Sequence, residues 1–187
     1  MSGNQEKIAI VSCIDYRYDA LVCVYLNKQG LNANYYNCAT AGAGLPLGYS
    51  KSCKELCGCK GCKPCNSQVK TLRESLNVNI SISIGLSGIK TIYVINHQDC
   101  GAFKVFLGCS GYPETLGSDN QKEIDINAQV LTNSKNYLTC KNKGMNVRLG
   151  VVDMNGSVAD YNPETKSWVL QYTGAGTDPK GLWYGMN

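Results

Sequence analysis

The chain has 187 residues, 43% of them hydrophobic and 17% charged, which is enough for one domain with a substantial core and excludes a disordered or fibrous class. Its formal net charge is +4, with no stripe or block of Lys and Arg, so nucleic acid is not expected as a partner. Met1 to Glu6 is polar, and the apolar run that follows is too short for a signal segment or a membrane span, so the expected location is cytoplasmic. The 11 cysteines are an odd number in a chain with no export signal, so reduced thiols, several of them binding metal, are expected rather than a complete disulfide framework.

A first strand is predicted over about Lys7 to Ser12, with Cys13 just past its end. Asp15 and Arg17 follow, two positions apart, and can form a charge-assisted, bidentate pair. Tyr18 to Lys28 has helical spacing and a stop at Gly30, with Cys23 expected in the core. Asn34 to Cys38 reads as a second strand, and Cys38 either lies near a metal or, the favoured reading, is a small buried hydrophobe. Thr40 to Gly48 is a loop whose glycines allow either a close approach of backbone to a small ligand or an ordinary strand-to-helix turn.

The segment Ser52 to Cys65 is dense in thiols, with Cys53, Cys57, Cys59, Cys62 and Cys65 in the pattern C-x₃-C-x-C-x₂-C-x₂-C. Four of the five suffice for a closed tetrahedral zinc site, and Lys51, Lys54, Lys60 and Lys63 would offset its charge. Two local disulfides, an iron-sulfur cluster and idle thiols are the alternatives. A thiol redox role for C-K-P-C at Cys62 to Cys65 is disfavoured because no strand precedes it.

Gln68 to Ser87 carries two periods: Val78, Ile80, Ile82, Ile84 and Leu86 alternate, whereas Val69, Leu72, Leu76, Ile80 and Ile84 step like a helix. Helix is expected, because two parallel strands need a crossover and no other segment supplies it. Ile92 to Gly101, I-Y-V-I-N-H-Q-D-C-G, is then a buried strand leading into a loop, and it contains His97, the one histidine of the chain. Beyond it come a short helix over Ala102 to Leu107, a polar loop over Ser110 to Asn120, and an amphipathic helix over Glu123 to Leu138. Asn146 to Val152 is a further strand, and Val158 to Tyr172 reads as two short strands joined through Asn162 and Pro163. A glycine-rich tail, Thr173 to Asn187, carries Trp183 and Tyr184. The expected fold is α/β, a mostly parallel central sheet of four to five strands flanked by helices, in a single domain with the cysteine-rich insert at about 51–66.

Parallel strands point their carboxyl ends the same way, and open α/β sheets bind ligands there. Cys13, His97 and Cys100 are thereby expected to converge as three ligands of one zinc ion, with a fourth position beside Asp15 and Arg17.

C-x-D-x-R after one strand and H-x-x-C-G after a later one, here Cys13, Asp15, Arg17, His97, Cys100 and Gly101, resembles the β-class carbonic anhydrases. The resemblance implies zinc on the two cysteines and the histidine, an Asp15–Arg17 pair that decides whether the fourth position is open, and reversible hydration of carbon dioxide to bicarbonate. It also implies a homodimer or a multiple of dimers, with sites near the interface. Asp99, Gly101, Ala41 and Gly42 are candidates for the surroundings of the metal or the substrate pocket. The chain departs from the family at Tyr16, where a small residue is usual, and at Ala39 to Gly44, A-T-A-G-A-G, which replaces the usual Arg-Asn-Ala-Gly. The insert has no counterpart in the pattern. Two alternatives stand beside carbon dioxide hydration: hydrolysis of carbonyl sulfide or carbon disulfide on the same scaffold, and a non-catalytic zinc protein in which Asp15 caps the metal.

Overall fold

The computed structural model describes residues 7–31, 34–49, 64–108, 112–115 and 117–176. In chain order the elements are β1 (Ile8–Val11), α1 (Tyr16–Lys28), β2 (Tyr35–Asn37), α2 (Leu45–Gly48), α3 (Pro64–Ser87), β3 (Thr91–His97), α4 (Gly101–Leu107), α5 (Asn120–Lys141), β4 (Asn146–Val152), β5 (Val158–Asn162) and β6 (Ser167–Tyr172). They form one sheet in the order β2-β1-β3-β4-β5-β6. The first four strands are parallel and the last two antiparallel to their neighbours. The mostly parallel sheet flanked by helices is as expected, and it reaches six strands rather than four to five because both arms of the C-terminal hairpin join it.

Each central strand is buried on both faces, and the two-residue period of a strand divides its side chains between two cores. Ile8, Ile10, Tyr93 and Ile95 pack with Tyr18, Val22, Tyr25 and Leu26 of α1. Ala9, Val11, Ile92 and Val94 face the other way, against Leu76 and Ile80 of α3 and Leu131 and Leu138 of α5. The two competing periods of α3 are resolved by this burial: Val69, Leu76 and Ile80 are buried, while Val78, Ile82 and Leu86 are exposed.

Helix α1 begins at Tyr16, two residues before the expected start, because the Asp15 side chain caps it by accepting from the Arg17 backbone N–H. Cys23 is exposed rather than in the core, since the buried stripe runs through Tyr18, Val22, Tyr25 and Leu26 and leaves position 23 on the outer side. Helix α5 starts at Asn120 under an Asp119 cap, earlier than its apolar pattern suggested. The loop before α3 also holds the short α2, which lies so close to α5 that a Cβ on Gly48 would stand 2.2 Å from the Val130 carbonyl oxygen.

β1 has β2 on one side and β3 on the other, so the chain reverses its direction of travel across the sheet between β1 and β3. A crevice opens at such a point, outside the carboxyl ends of the two strands. After β6 the chain folds back to the β4–β5 turn, where Gly174 N–H donates to Ser157 Oγ at 3.1 Å and Gly176 N–H to Asn155 O at 3.3 Å. The last described residues therefore lie at that same end of the sheet.

Candidate metal centre

His97 is the last residue of β3, Cys13 follows β1 and pairs with Thr40 beyond β2, and Cys100 is the N-cap of α4. Their ligand atoms lie within 4.8 Å of one another, and among the described residues these three make up the group able to hold a metal ion. The His97 ring is fixed from one side. A carbonyl oxygen can only accept, so the 2.7 Å contact between Nδ1 and Gln98 O assigns the ring proton to Nδ1. Nε2 is buried and has no hydrogen-bond partner in the structure. Tyr18 stacks on the ring at 4.0 Å between centroids and donates its hydroxyl to the same Gln98 carbonyl at 2.6 Å. An unsatisfied imidazole nitrogen between two sulfurs is costly unless a cation takes it up, so the donor set fits a metal.

The hydrogen bond from the Cys100 thiol pulls the Cys13 thiol down to about 4 against burial, with His97 and the Gly42 N–H adding to the effect. The same bond, followed by burial, pushes Cys100 well above the ordinary thiol value. The two shifts run in opposite directions and favour the thiolate at Cys13 over Cys100. Gly42 donates its N–H to Cys13 Sγ at 3.3 Å from a φ of 80°, a left-handed conformation that favours glycine.

Beside the sulfurs Asp15 and Arg17 form the expected bidentate pair, Nε to Oδ1 at 3.0 Å and Nη2 to Oδ2 at 2.7 Å. Those bonds hold the Asp15 carboxyl below the usual carboxylate range. Asp15 is not within the group of three converging ligands. Arg17 also reaches Asp99, with Nη1 to Oδ2 at 2.8 Å and Nη2 to the backbone oxygen at 3.1 Å. Lys104 donates to the other Asp99 oxygen. Asp99 itself has φ 56°, an unusual conformation for a residue with a side chain. Its backbone N–H donates to Glu123 Oε1 of α5, and the same oxygen accepts the Tyr112 hydroxyl, which accepts the Cys100 N–H at 3.2 Å.

The mouth of the site is an open hollow of about 530 Å³, lined by Cys13, Asp15 and Arg17 and by the apolar Ile14, Ala41, Ala102, Val105 and Phe106. Ala41 and Gly101 also line it, while Gly42 contacts sulfur and pins the 40–44 loop. That loop is tied further inward, where Gly44 N–H donates to Asn96 Oδ1 at 2.9 Å. Cys38 lies in the core against Ser83, apart from the converging set, and Cys140 is exposed. Cys53, Cys57, Cys59 and Cys62 lie outside the described residues, as does the side chain of Cys65. Lys104, Tyr112 and Glu123 were not singled out from the sequence. The signal for Glu123 was available, since it shares the buried stripe of α5 with Ile126, Val130 and Leu138, where an acid is out of place.

A parallel sheet with this reversal, carrying two thiols and an imidazole at the strand ends, defines a class of fold. It is the fold of the β-carbonic anhydrases: the chain resembles the β-carbonic anhydrase CcaA with a TM-score of 0.50 and 12% identity, over 91% of this chain and 80% of that one. Among curated proteins, an uncharacterized protein of Rickettsia conorii is 23% identical over 155 residues, which is 83% of this chain and 72% of the relative. One from Rickettsia bellii is 20% identical over 155 residues, 83% of this chain and 81% of that protein. No family model matches the chain. No helix among the described residues is long and apolar enough to cross a membrane.

Proposed function

We propose that the chain is a zinc-dependent enzyme that interconverts carbon dioxide and bicarbonate. The observation that carries this reading is the buried, unpartnered His97 Nε2 converging with the Cys13 and Cys100 sulfurs, beside an Asp15 whose two oxygens are engaged by Arg17. A zinc ion on these three ligands would supply, at its fourth position, an acidified water as the nucleophile. Arg17 keeps Asp15 ionised and turned towards itself, which makes the carboxylate a fixed hydrogen-bond acceptor rather than a fourth ligand. Carbon dioxide, linear and apolar, enters over Ile14, Ala41, Ala102 and Val105. The sole histidine of the chain is committed to the metal, so the proton released on hydration has no imidazole carrier and passes to buffer, Asp99 or a tyrosine.

Ile14, Tyr16 and Val105 stand 66%, 86% and 72% exposed around the mouth, an apolar rim that supports assembly as a homodimer or a multiple of dimers. Light scattering tests this, and a monomer at working concentration would overturn it. The reading extends to a cytoplasmic location.

Stopped-flow hydration by zinc-loaded protein should rise with pH over about 6.5 to 9 as the nucleophile ionises. His97→Ala should lose both zinc and activity, and full zinc with full activity in that variant would sink the reading. The apolar lining also suits carbonyl sulfide and carbon disulfide, so turnover of either gas faster than carbon dioxide would reassign the substrate. Zinc-loaded protein inert towards all three would point to a non-catalytic zinc protein.

A further inference from the structure

Two successive backbone N–H groups, those of Asp99 and Cys100, lead to a single oxygen. Asp99 N–H reaches Glu123 Oε1 directly, and Cys100 N–H reaches it through the Tyr112 hydroxyl. Glu123 is 2% exposed and Tyr112 equally so, and the two come from segments outside the β3–α4 loop they hold. Packing does not call for an acid here. An apolar side chain would continue the α5 stripe, and burying a carboxyl is costly unless its hydrogen bonds matter. The turn it holds is the one in which Asp99 adopts φ 56°, and it presents both Cys100 Sγ to the metal cluster and the Asp99 carboxylate to Arg17.

We propose that Glu123, acting directly and through Tyr112, is the positioning residue that sets the Asp99–Cys100 turn and thereby the metal affinity of the site. The Tyr112 hydroxyl donates to Oε1 while accepting from the Cys100 N–H. The inference rests on the metal site of the proposed function and not on its substrate.

The test is zinc affinity, by competition with a chelator, and the thiolate-to-metal absorption of the cobalt-substituted protein. Glu123→Leu should weaken zinc by about 10- to 100-fold and shift the cobalt bands, as loss of a residue orienting a ligand does. Glu123→Gln keeps an acceptor oxygen and should stay close to the parent. Tyr112→Phe removes the hydroxyl alone, keeps the ring packed on Phe103, and should weaken zinc by roughly tenfold. A folded Glu123→Leu with parent affinity and an unchanged cobalt spectrum would overturn the assignment, as would a Glu123→Gln variant as weak as Glu123→Leu. If Glu123→Leu does not fold, Tyr112→Phe decides alone, and parent-like affinity there refutes the proposal. These readouts need no turnover, so absence of carbon dioxide hydration in the parent protein would count against the function and leave this inference standing.

Discussion

Arg17 Nη1 and Asp99 Oδ2 meet at 2.8 Å although 82 positions separate the two residues. The same guanidinium holds Asp15 in a two-bond grip, so it spans the carboxyl ends of β1 and β3. Removing it releases the Asp15 carboxylate, while Asp99 keeps its bond to Lys104. Arg17→Ala should therefore free Asp15 to reach the metal, and carbon dioxide hydration should fall by about 100-fold, the scale expected when a positioned group is misplaced. Stopped-flow assay checks the rate, and zinc content should stay unchanged. Parent-like activity would show that Asp15 needs no restraint.

The pH dependence of stability has a definite sign. Hydrogen bonds from Arg17 lower Asp15, and burial of Asp99 is outweighed by its bonds to Lys104 and Arg17, so both carboxyls titrate below their unfolded values. A depressed folded value means stabilisation present above the unfolded value of about 3.9 and lost as pH falls through the folded one. Thermal melts of wild type and Arg17→Ala should thus differ at pH 7, and the difference should shrink only as pH falls below about 4 and through the lower folded values. Because Arg17 is about a third exposed, the difference at neutral pH should be modest. A gap that persists unchanged at low pH would show that Arg17 stabilises through packing instead.

Gly48 is a second site where a small change has a stated cost. A Cβ there would sit 2.2 Å from a backbone oxygen of α5, which a flexible side chain cannot relieve. Gly48→Ala should destabilise the fold by about 3 kcal/mol, the range for overpacking, visible in chemical or thermal unfolding. Gly85→Ala, where a Cβ meets nothing within 4 Å, is the control and should be neutral or stabilising.

For the thiols at Cys53, Cys57, Cys59, Cys62 and Cys65 we propose a closed structural zinc, argued from their spacing and the interleaved lysines. Zinc per chain in reduced protein should be about two and fall to about one when the insert is deleted. A value near one for the intact chain, with five free thiols counted in the insert after non-reducing denaturation, would exclude both a second zinc and disulfides.

Cys13, His97 and Cys100 were legible because each lies at or just past a strand end, and the parallel arrangement of β1 and β3 follows from the crossover length between them. The Asp15–Arg17 pair is local, two positions apart, and needs no tertiary knowledge. Glu123, Tyr112 and Lys104 were not legible as a group. Their meeting with Asp99 depends on how α5 and the residue-112 segment dock on the β3–α4 turn, and periodicity does not encode docking. Cys23 was misplaced for a related reason: on a helix one residue is a turn of about 100°, so a side chain adjacent to Val22 in sequence faces away from the core.

The fold-back of the chain after β6 has a practical corollary. Gly174 and Gly176 are hydrogen-bonded to the β4–β5 turn, at the end of the sheet that carries Cys13 and His97, whereas the chain enters β1 at the opposite end. A linkage made directly after residue 176 would therefore begin at the end of the sheet where Cys13, His97 and Cys100 converge. One made directly before β1 would begin at the opposite end, so immobilised protein is better attached there to keep those three residues away from the support.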